Sequence, residues 1–210
     1  MALRIQVLVV GELSTNCYFL IDTASGSVLV VDPGDAPEYI SDVLLKEKLN
    51  PVGVLATHGH FDHILGAFGL QVMYNIPFFI HPEDEFLVAR MQESGRHFLK
   101  RKNVDPAPRI TNRLHDGEKI RIGESGITVL HTPGHTPGSV AVYGQDANAV
   151  LVGDGLFADG SRGRTDTSYG DNVLLTQSIR RIVSIDDGLL LYPGHGGPIP
   201  VGRARMLFGV

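Results

Sequence analysis

The chain has 210 residues, 18 of them basic and 23 acidic for a net charge of −5, and 43% are hydrophobic. That is enough apolar matter for one or at most two packed domains; it excludes disordered, collagen-like and coiled-coil chains, and the acidic balance speaks against nucleic acid as the main partner. Glycine is over-represented, with 25 residues where an average chain of this length has about 15, so many tight turns and close backbone approaches are expected.

Arg4 to Val10, Asn16 to Asp22 and Ser27 to Asp32 are β-rich runs separated by turn formers and predict an antiparallel meander. The apolar stretch Ile5 to Val10 is too short for the core of a secretion signal, and no run approaches the roughly 20 apolar residues of a membrane span. Cys17, the one cysteine, reads as a buried thiol in a reducing compartment, so a cytoplasmic protein without a membrane partner is expected. After Pro33-Gly34-Asp35 the period changes: Ile40, Val43, Leu44 and Leu49 recur near helical spacing over Ala36 to Leu49, and Asn50-Pro51 ends the helix. Val52 to Ala56 predicts a buried strand, Ile64 to Tyr74 a helix, Pro77 to Ile80 a short strand, and Glu83 to Met91 a helix with acidic residues at its start. Ser94 to Arg113 is basic and poor in periodicity, and is expected to be a mobile surface excursion. Strands resume at Lys119 to Ile122, Gly126 to His131, Ser139 to Tyr143 and Ala149 to Gly153; a long loop, a helix over Val173 to Ile185 and a last strand over Leu189 to Tyr192 follow. Two β-rich halves, each followed by helix, predict a sheet-on-sheet core with helices outside, and no linker, repeat or low-complexity segment divides the chain.

The histidines carry the chemistry. Thr57-His58-Gly59-His60-Phe61-Asp62-His63 places three imidazoles and a carboxylate within six residues, directly after the strand ending at Ala56. Ligands at i, i+2, i+4 and i+5 on a turn can splay toward two adjacent ions, and Gly59 lets the backbone fold tightly there. The alternative, a chance group of surface histidines, does not account for four ligands at this spacing. His135, Asp154 and His195 each follow an apolar β run and sit beside glycine. Five histidines and two aspartates match two metals that share one carboxylate and leave room for a bridging water.

His-x-His-x-Asp-His followed by His, Asp and His at these intervals, with Val31-Asp32-Pro33-Gly34 ahead of it, resembles the metallo-β-lactamase superfamily, and within it the glyoxalase II-like (hydroxyacylglutathione hydrolase-like) branch, over nearly the whole chain. The resemblance implies an α+β fold, a four-layer αββα sandwich. It also implies one metal on His58, His60 and His135, a second on Asp62, His63 and His195, and Asp154 as the bridge. Position 154 is Asp, where class B β-lactamases typically carry Cys or another arrangement, which points away from lactam hydrolysis. Only fifteen residues follow His195, so a single domain over residues 1–210 without the C-terminal helical region of true glyoxalase II is expected.

Gly155-Leu156-Phe157 followed by Gly163-Arg164-Thr165-Asp166 resembles the loop of small glyoxalase II-like proteins and of persulfide dioxygenases. Arg162 and Arg164 are candidates for a substrate anion, with Tyr169 a weaker one; the competing reading has Arg164 brace the loop through Asp166. Asp32, Thr57 and Ser139 are candidates for orienting ligand imidazoles, with turn formation the alternative for Asp32. His131 and His81 read as structural, His97 and His115 as surface residues. The resulting expectation is a dinuclear metal hydrolase of a small thioester or ester. It would carry zinc first and iron or manganese as alternatives, Asp62 would take the proton, and neither nucleic acid nor membrane would be a partner. A mononuclear iron persulfide dioxygenase using His58, His135 and Asp154 is the competing chemistry. A ribonuclease and a metal-stabilised binding protein are the remaining classes.

Overall fold

A computed structural model describes residues 3–209. β1 (Leu3–Val10), β2 (Thr15–Asp22) and β3 (Ser27–Val31) pair antiparallel in that order, and α1 (Pro37–Lys46) crosses to β4 (Asn50–Leu55), parallel to β3. Four short helices, α2 (Phe61–Ile64), α3 (Ala67–Tyr74), α4 (Glu85–Ala89) and α5 (Met91–Leu99), surround β5 (Phe78–Ile80), and β6 (Asn112–Arg113) closes the first sheet. The second half repeats the plan. β7 (Lys119–Ile122), β8 (Ser125–His131), β9 (Val140–Gly144) and β10 (Ala149–Gly153) meander antiparallel, and α6 (Asn172–Val183) crosses to the parallel β11 (Leu190–Pro193). β12 (Ile199–Pro200) and α7 (Val201–Phe208) complete it.

The period of two along the strands sorts side chains into layers. On β2 and β3, Phe19, Ile21, Val28 and Val30 face Ile40, Leu44 and Leu70 of the first helical layer. Their neighbours Tyr18, Leu20, Leu29 and Val31 point the other way, into Ile127, Val129, Val140, Val142 and Leu151 of the second sheet. Val150 and Val152 in turn cover Leu175, Ile179 and Ile182 of α6. This is the αββα sandwich, an α+β fold. No helix among the described residues is long and apolar enough to cross a membrane.

The topology puts several strand ends at one rim. β3 and β4 run parallel, β8 and β10 both run antiparallel to β9, and β11 runs parallel to β10. Main-chain bonds from Val140 N to Thr57 O (2.8 Å) and from Asn16 N to Gly194 O (2.8 Å) join the two sheets there.

Several elements differ from the sequence reading. Ile64 to Tyr74 is not one helix: the Gly66 amide donates to Pro33 O (2.8 Å), and the chain breaks between α2 and α3. The basic stretch from Ser94 is neither loose nor irregular throughout. Its first part continues α5, and Val104, Ala107 and Ile110 pack on the first core while Gln71 and Gln92 bond its main chain. Leu189 to Tyr192 is not the last element, because Ile199, Val201 and Ala204 are buried against α6. β6, β12 and α7 are too short, or too mixed in polarity, to show a period.

The two sheets are also joined away from the rim by buried Asp22 at the end of β2. Its carboxylate accepts the Ser25 amide (3.1 Å) and hydroxyl (2.6 Å), the Glu124 amide (3.2 Å) and the Ser125 hydroxyl (2.8 Å). The Ser25 and Ser125 hydroxyls hold its pKa well below the usual carboxylate range. A depressed folded pKa contributes stability that is present above the unfolded value and lost as pH falls through the folded one. Asp22→Asn should therefore melt below the wild type near neutral pH, and the gap should narrow below about pH 4. Thermal unfolding of the metal-free proteins across that range measures it; a constant gap would contradict the assignment.

Candidate metal centre

The loop after β4 carries Thr57 to His60 and α2 carries Asp62 and His63, the β8–β9 loop carries His135, and Asp154 and His195 lie just past the ends of β10 and β11. Three imidazole nitrogens meet at the rim: His60 Nδ1 lies 3.0 Å from His58 Nε2 and 2.9 Å from His135 Nε2. Beside them, Asp62 Oδ2 lies 3.8 Å from His63 Nε2 and 3.5 Å from His195 Nε2. Asp154 stands between the groups. Its Oδ1 is 3.4 Å from His63 Nε2, and its Oδ2 is 3.9 Å from His135 Nε2 and 3.8 Å from His195 Nε2.

Hydrogen bonds on the far side of each ring decide which nitrogen keeps its lone pair. Buried Asp32 accepts the Thr57 amide and hydroxyl, both at 2.7 Å, and His63 Nδ1 at 3.0 Å. With the Thr57 hydroxyl proton committed to the carboxylate, its oxygen accepts from His58 Nδ1 (3.1 Å). His135 Nδ1 donates to Arg164 O (2.9 Å) and His195 Nδ1 to Ser14 O (3.3 Å). His60 is turned the other way, its Nε2 bonding the Tyr169 hydroxyl at 3.0 Å. The inward Nε2 atoms of His58, His63, His135 and His195 are thereby left as acceptors.

Acceptors facing acceptors repel unless something positive lies between them. His63 Nε2 and Asp154 Oδ1 are buried and make no hydrogen bond. Burial and the neighbouring imidazoles push His58 well down and His60 down to about 4, which keeps both neutral. Burial also opposes charge on His63, but Asp154, Asp32 and Asp62 outweigh it and raise its pKa well above the ordinary value. Asp154 is held below the carboxylate range because His63 and His135 outweigh its burial, and Asp62 is lowered likewise by His63 and His195. These groups call for positive charge, and a nitrogen and carboxylate donor set of this kind fits divalent cations.

Asp84 was not singled out in the sequence, where it reads as one of the acids opening a helix. Its buried Oδ2 accepts the Gly59 amide and the Thr136 hydroxyl, its Oδ1 the Gly138 amide, all at 2.7 Å. The carboxylate thus locks the His58–His63 loop to the His135 loop. Ser139 does not orient an imidazole as expected; its hydroxyl bonds Thr136 within this lock. Gly163 packs so closely on the centre that a Cβ would stand 2.7 Å from His135 Nδ1.

The centre floors a cavity of about 580 Å³. Leu13, Leu87 and the stacked rings of Phe61 and Phe98 (centroids 5.5 Å apart) give one wall its apolar character, and Arg162, Thr167 and Tyr169 stand among its polar lining. The Arg164 guanidinium is committed to Asp166 (Nε to Oδ1 2.8 Å), so this residue serves the centre through its carbonyl. His81 and His131 stack 4.2 Å apart and within 8° of parallel near Glu83. Their in-plane lone pairs run side by side rather than converging, and His131 Nε2 already bonds Pro137 O (2.9 Å). His97 and His115 are exposed.

Asp84→Asn would set an amide NH₂ against the Gly138 amide, or against the Gly59 amide and the Thr136 hydroxyl. It should weaken metal retention about 10- to 100-fold, as loss of a group that positions ligands does, with a lower melting temperature. Chelator competition checks this; unchanged retention would show that the loops hold without the carboxylate.

The family model described as the metallo-beta-lactamase superfamily matches residues 10–195. Among relatives, a probable metallo-hydrolase, YqgX of Bacillus subtilis, is 35% identical, covering 89% of this chain and 87% of its own length. The hydroxyacylglutathione hydrolase GloC of Haemophilus influenzae is 28% identical, covering 97% and 95%. Two solved structures are each 30% identical: the BLEG-1 B3 metallo-beta-lactamase, with a TM-score of 0.88 and 97% of both chains covered, and TTHA1623 in a di-iron-bound form, with 0.84 and 96% of both. The chain belongs to the metallo-beta-lactamase superfamily.

Proposed function

We propose that the protein is a dinuclear metal-dependent hydrolase of a small thioester or related ester, with residues 1–210 acting as one catalytic unit to which both sheets contribute ligands. One observation carries the reading: two sets of three donors each cluster within ligand reach of one another, and Asp154 lies within 4 Å of members of both at an open cavity. His58, His60 and His135 would hold one cation, Asp62, His63 and His195 the other, and Asp154 both. The mononuclear dioxygenase alternative uses only His58, His135 and Asp154 and leaves no role for His60 Nδ1, which lies within 3.0 Å of both imidazoles. Mixed nitrogen and oxygen ligation suits zinc first, with iron or manganese as alternatives, and the di-iron form of one relative supports keeping iron among them. The thioester class is supported by the similarity to a hydroxyacylglutathione hydrolase. A similarly placed β-lactamase makes a β-lactam the necessary control substrate.

Bound cations would supply Lewis acidity and an acidified water at neutral pH. Asp62, with His63 and His195 beside it, would be the group to take the proton from that water. Arg162 bonds only weakly, to the neutral Asn172 (3.4 Å) and Thr176 (3.1 Å), which leaves its guanidinium suited to an anionic group of the substrate. Tyr169 bonds His60 Nε2 and lines the cavity, so its hydroxyl would stand beside a bound substrate.

His63→Ala and Asp154→Ala should each lower thioester hydrolysis by about 10²-fold or more. His63→Ala should retain one cation per chain. Metal analysis with paired assays of thioester cleavage and of oxygen uptake with a persulfide tests this. Oxygen uptake retained in His63→Ala, with one iron and no hydrolysis in the parent, would overturn the reading. Arg162→Ala should raise KM about tenfold with kcat and melting temperature little changed; an unchanged KM would remove Arg162 from the site. Raised pKa values at His63 and His195 mean that protons compete with cations, so metal uptake should weaken as pH falls and release protons when it occurs. Calorimetry in buffers of different ionisation enthalpy measures that release, and its absence would contradict the charge states assigned to the two rings.

A further inference from the structure

Two segments that border the second ligand set, far apart in the chain, meet at one guanidinium. Arg101 follows α5, where Lys100 takes a left-handed conformation (φ 54°) and turns the chain back. Its Nη2 lies 2.7 Å from Asp35 Oδ2 and 2.8 Å from Glu12 Oε1, and its Nε donates to Glu12 Oε1 at 3.0 Å. Glu12 belongs to the turn between β1 and β2, and Asp35 to the loop between β3 and α1. The two segments are in contact, since a Cβ on Gly11 of the turn would stand 2.9 Å from Asp35 Cβ. A rigid fork that serves two carboxylates at once, with Asp35 largely covered, holds position better than an isolated surface pair.

Both segments touch the same half of the centre. Next to Glu12 in the turn, Leu13 borders the cavity, the Ser14 carbonyl accepts from His195 Nδ1, and Thr15 pairs with His195 in an isolated β-bridge. In the loop, Asp32 fixes His63, and Gly34 lies so close under Asp62 that a Cβ there would overlap the Asp62 carbonyl. Asp62, His63 and His195 therefore all rest on what Arg101 ties together. In the first set only His58 shares that loop, through Thr57 and Asp32, whereas His60 and His135 are fixed by Tyr169 and the Arg164 carbonyl.

We propose that Arg101 is a positioning residue for the Asp62, His63 and His195 half of the centre, joining the β1–β2 turn to the Asp32–Asp35 loop so that the second cation is held. The cation part of this rests on the dinuclear reading; the tie itself does not. The test compares Arg101→Ala, Arg101→Lys and Glu12→Gln with Arg113→Ala, which removes an exposed ion pair to Glu85 elsewhere on the surface. Hydrogen exchange of the metal-free proteins reads residues 11–15 and 34–36, and chelator competition with zinc or cobalt reads each equivalent of metal. In Arg101→Ala, exchange in both segments should rise about tenfold, and the second equivalent should weaken about tenfold while the first, which shares only His58 with the tied loop, weakens far less. Arg101→Lys and Glu12→Gln should fall between it and the wild type, and Arg113→Ala should match the wild type. Unchanged exchange in both segments overturns the proposal, as do equal weakening of both equivalents and the same response in Arg113→Ala. Should Arg101→Ala not fold, the lysine and glutamine variants give the same readouts. A wild type that takes up one cation only defeats the dinuclear reading, and the exchange measurement then decides alone whether Arg101 ties the segments.

Discussion

A buried carboxylate, Asp32, sets the direction of two of the five rim imidazoles. It sits just past the end of β3 in a left-handed conformation (φ 52°), with its amide bonded to Leu55 O at the end of β4. From there it holds the Thr57 amide, the Thr57 hydroxyl and His63 Nδ1 together. One acceptor-only group thereby forces protons onto His63 Nδ1 directly and onto His58 Nδ1 through Thr57, and leaves both Nε2 atoms as lone pairs aimed inward. A hydroxyl or an amide at position 32 would bring donors of its own and leave that direction open. The left-handed backbone at a non-glycine residue is strained, and the bonds the side chain makes offset that cost.

The rest of the centre follows the same logic with other acceptors. Carbonyls of Ser14 and Arg164 serve His195 and His135, and a tyrosine hydroxyl serves His60. A second buried carboxylate, Asp84, bonds two main-chain amides and a hydroxyl rather than any ring. The two carboxylates divide the work: one aims imidazoles, the other keeps two ligand loops at a fixed separation. Ring direction and loop spacing are separate requirements for a polynuclear centre, since a ligand that faces correctly but stands an ångström away contributes little.

Much of this was legible in the sequence, for identifiable reasons. The strands of the two meanders alternate apolar residues for two buried faces, so β2, β3, β8, β9 and β10 show their period directly, and α1 and α6 show theirs. His58 to His63 stand close in the chain and announce themselves by spacing. What was not legible depends on the third dimension. Asp84 is one of several acids near a helix start, and its role comes from Gly59 and Thr136, which lie 25 and 52 residues away in the chain. The Ser14 and Arg164 contributions are made by carbonyls, which no residue type marks. The break at Gly66 comes from a main-chain bond to Pro33, and the packing of 104–110 on the core comes from isolated apolar residues in a basic stretch. The arginine pair shows the same limit: sequence offers Arg162 and Arg164 as anion sites with a brace to Asp166 as the alternative for Arg164, and the ion pair favours the brace.

The central claim is that the seven donors form one site for two cations sharing Asp154. Anomalous diffraction from metal-loaded crystals tests it most directly. Two peaks about 3.5–4 Å apart are expected, one against His58, His60 and His135, the other against Asp62, His63 and His195, with Asp154 touching both. A single peak at full occupancy under saturating metal, or two peaks of which only one contacts Asp154, would contradict it.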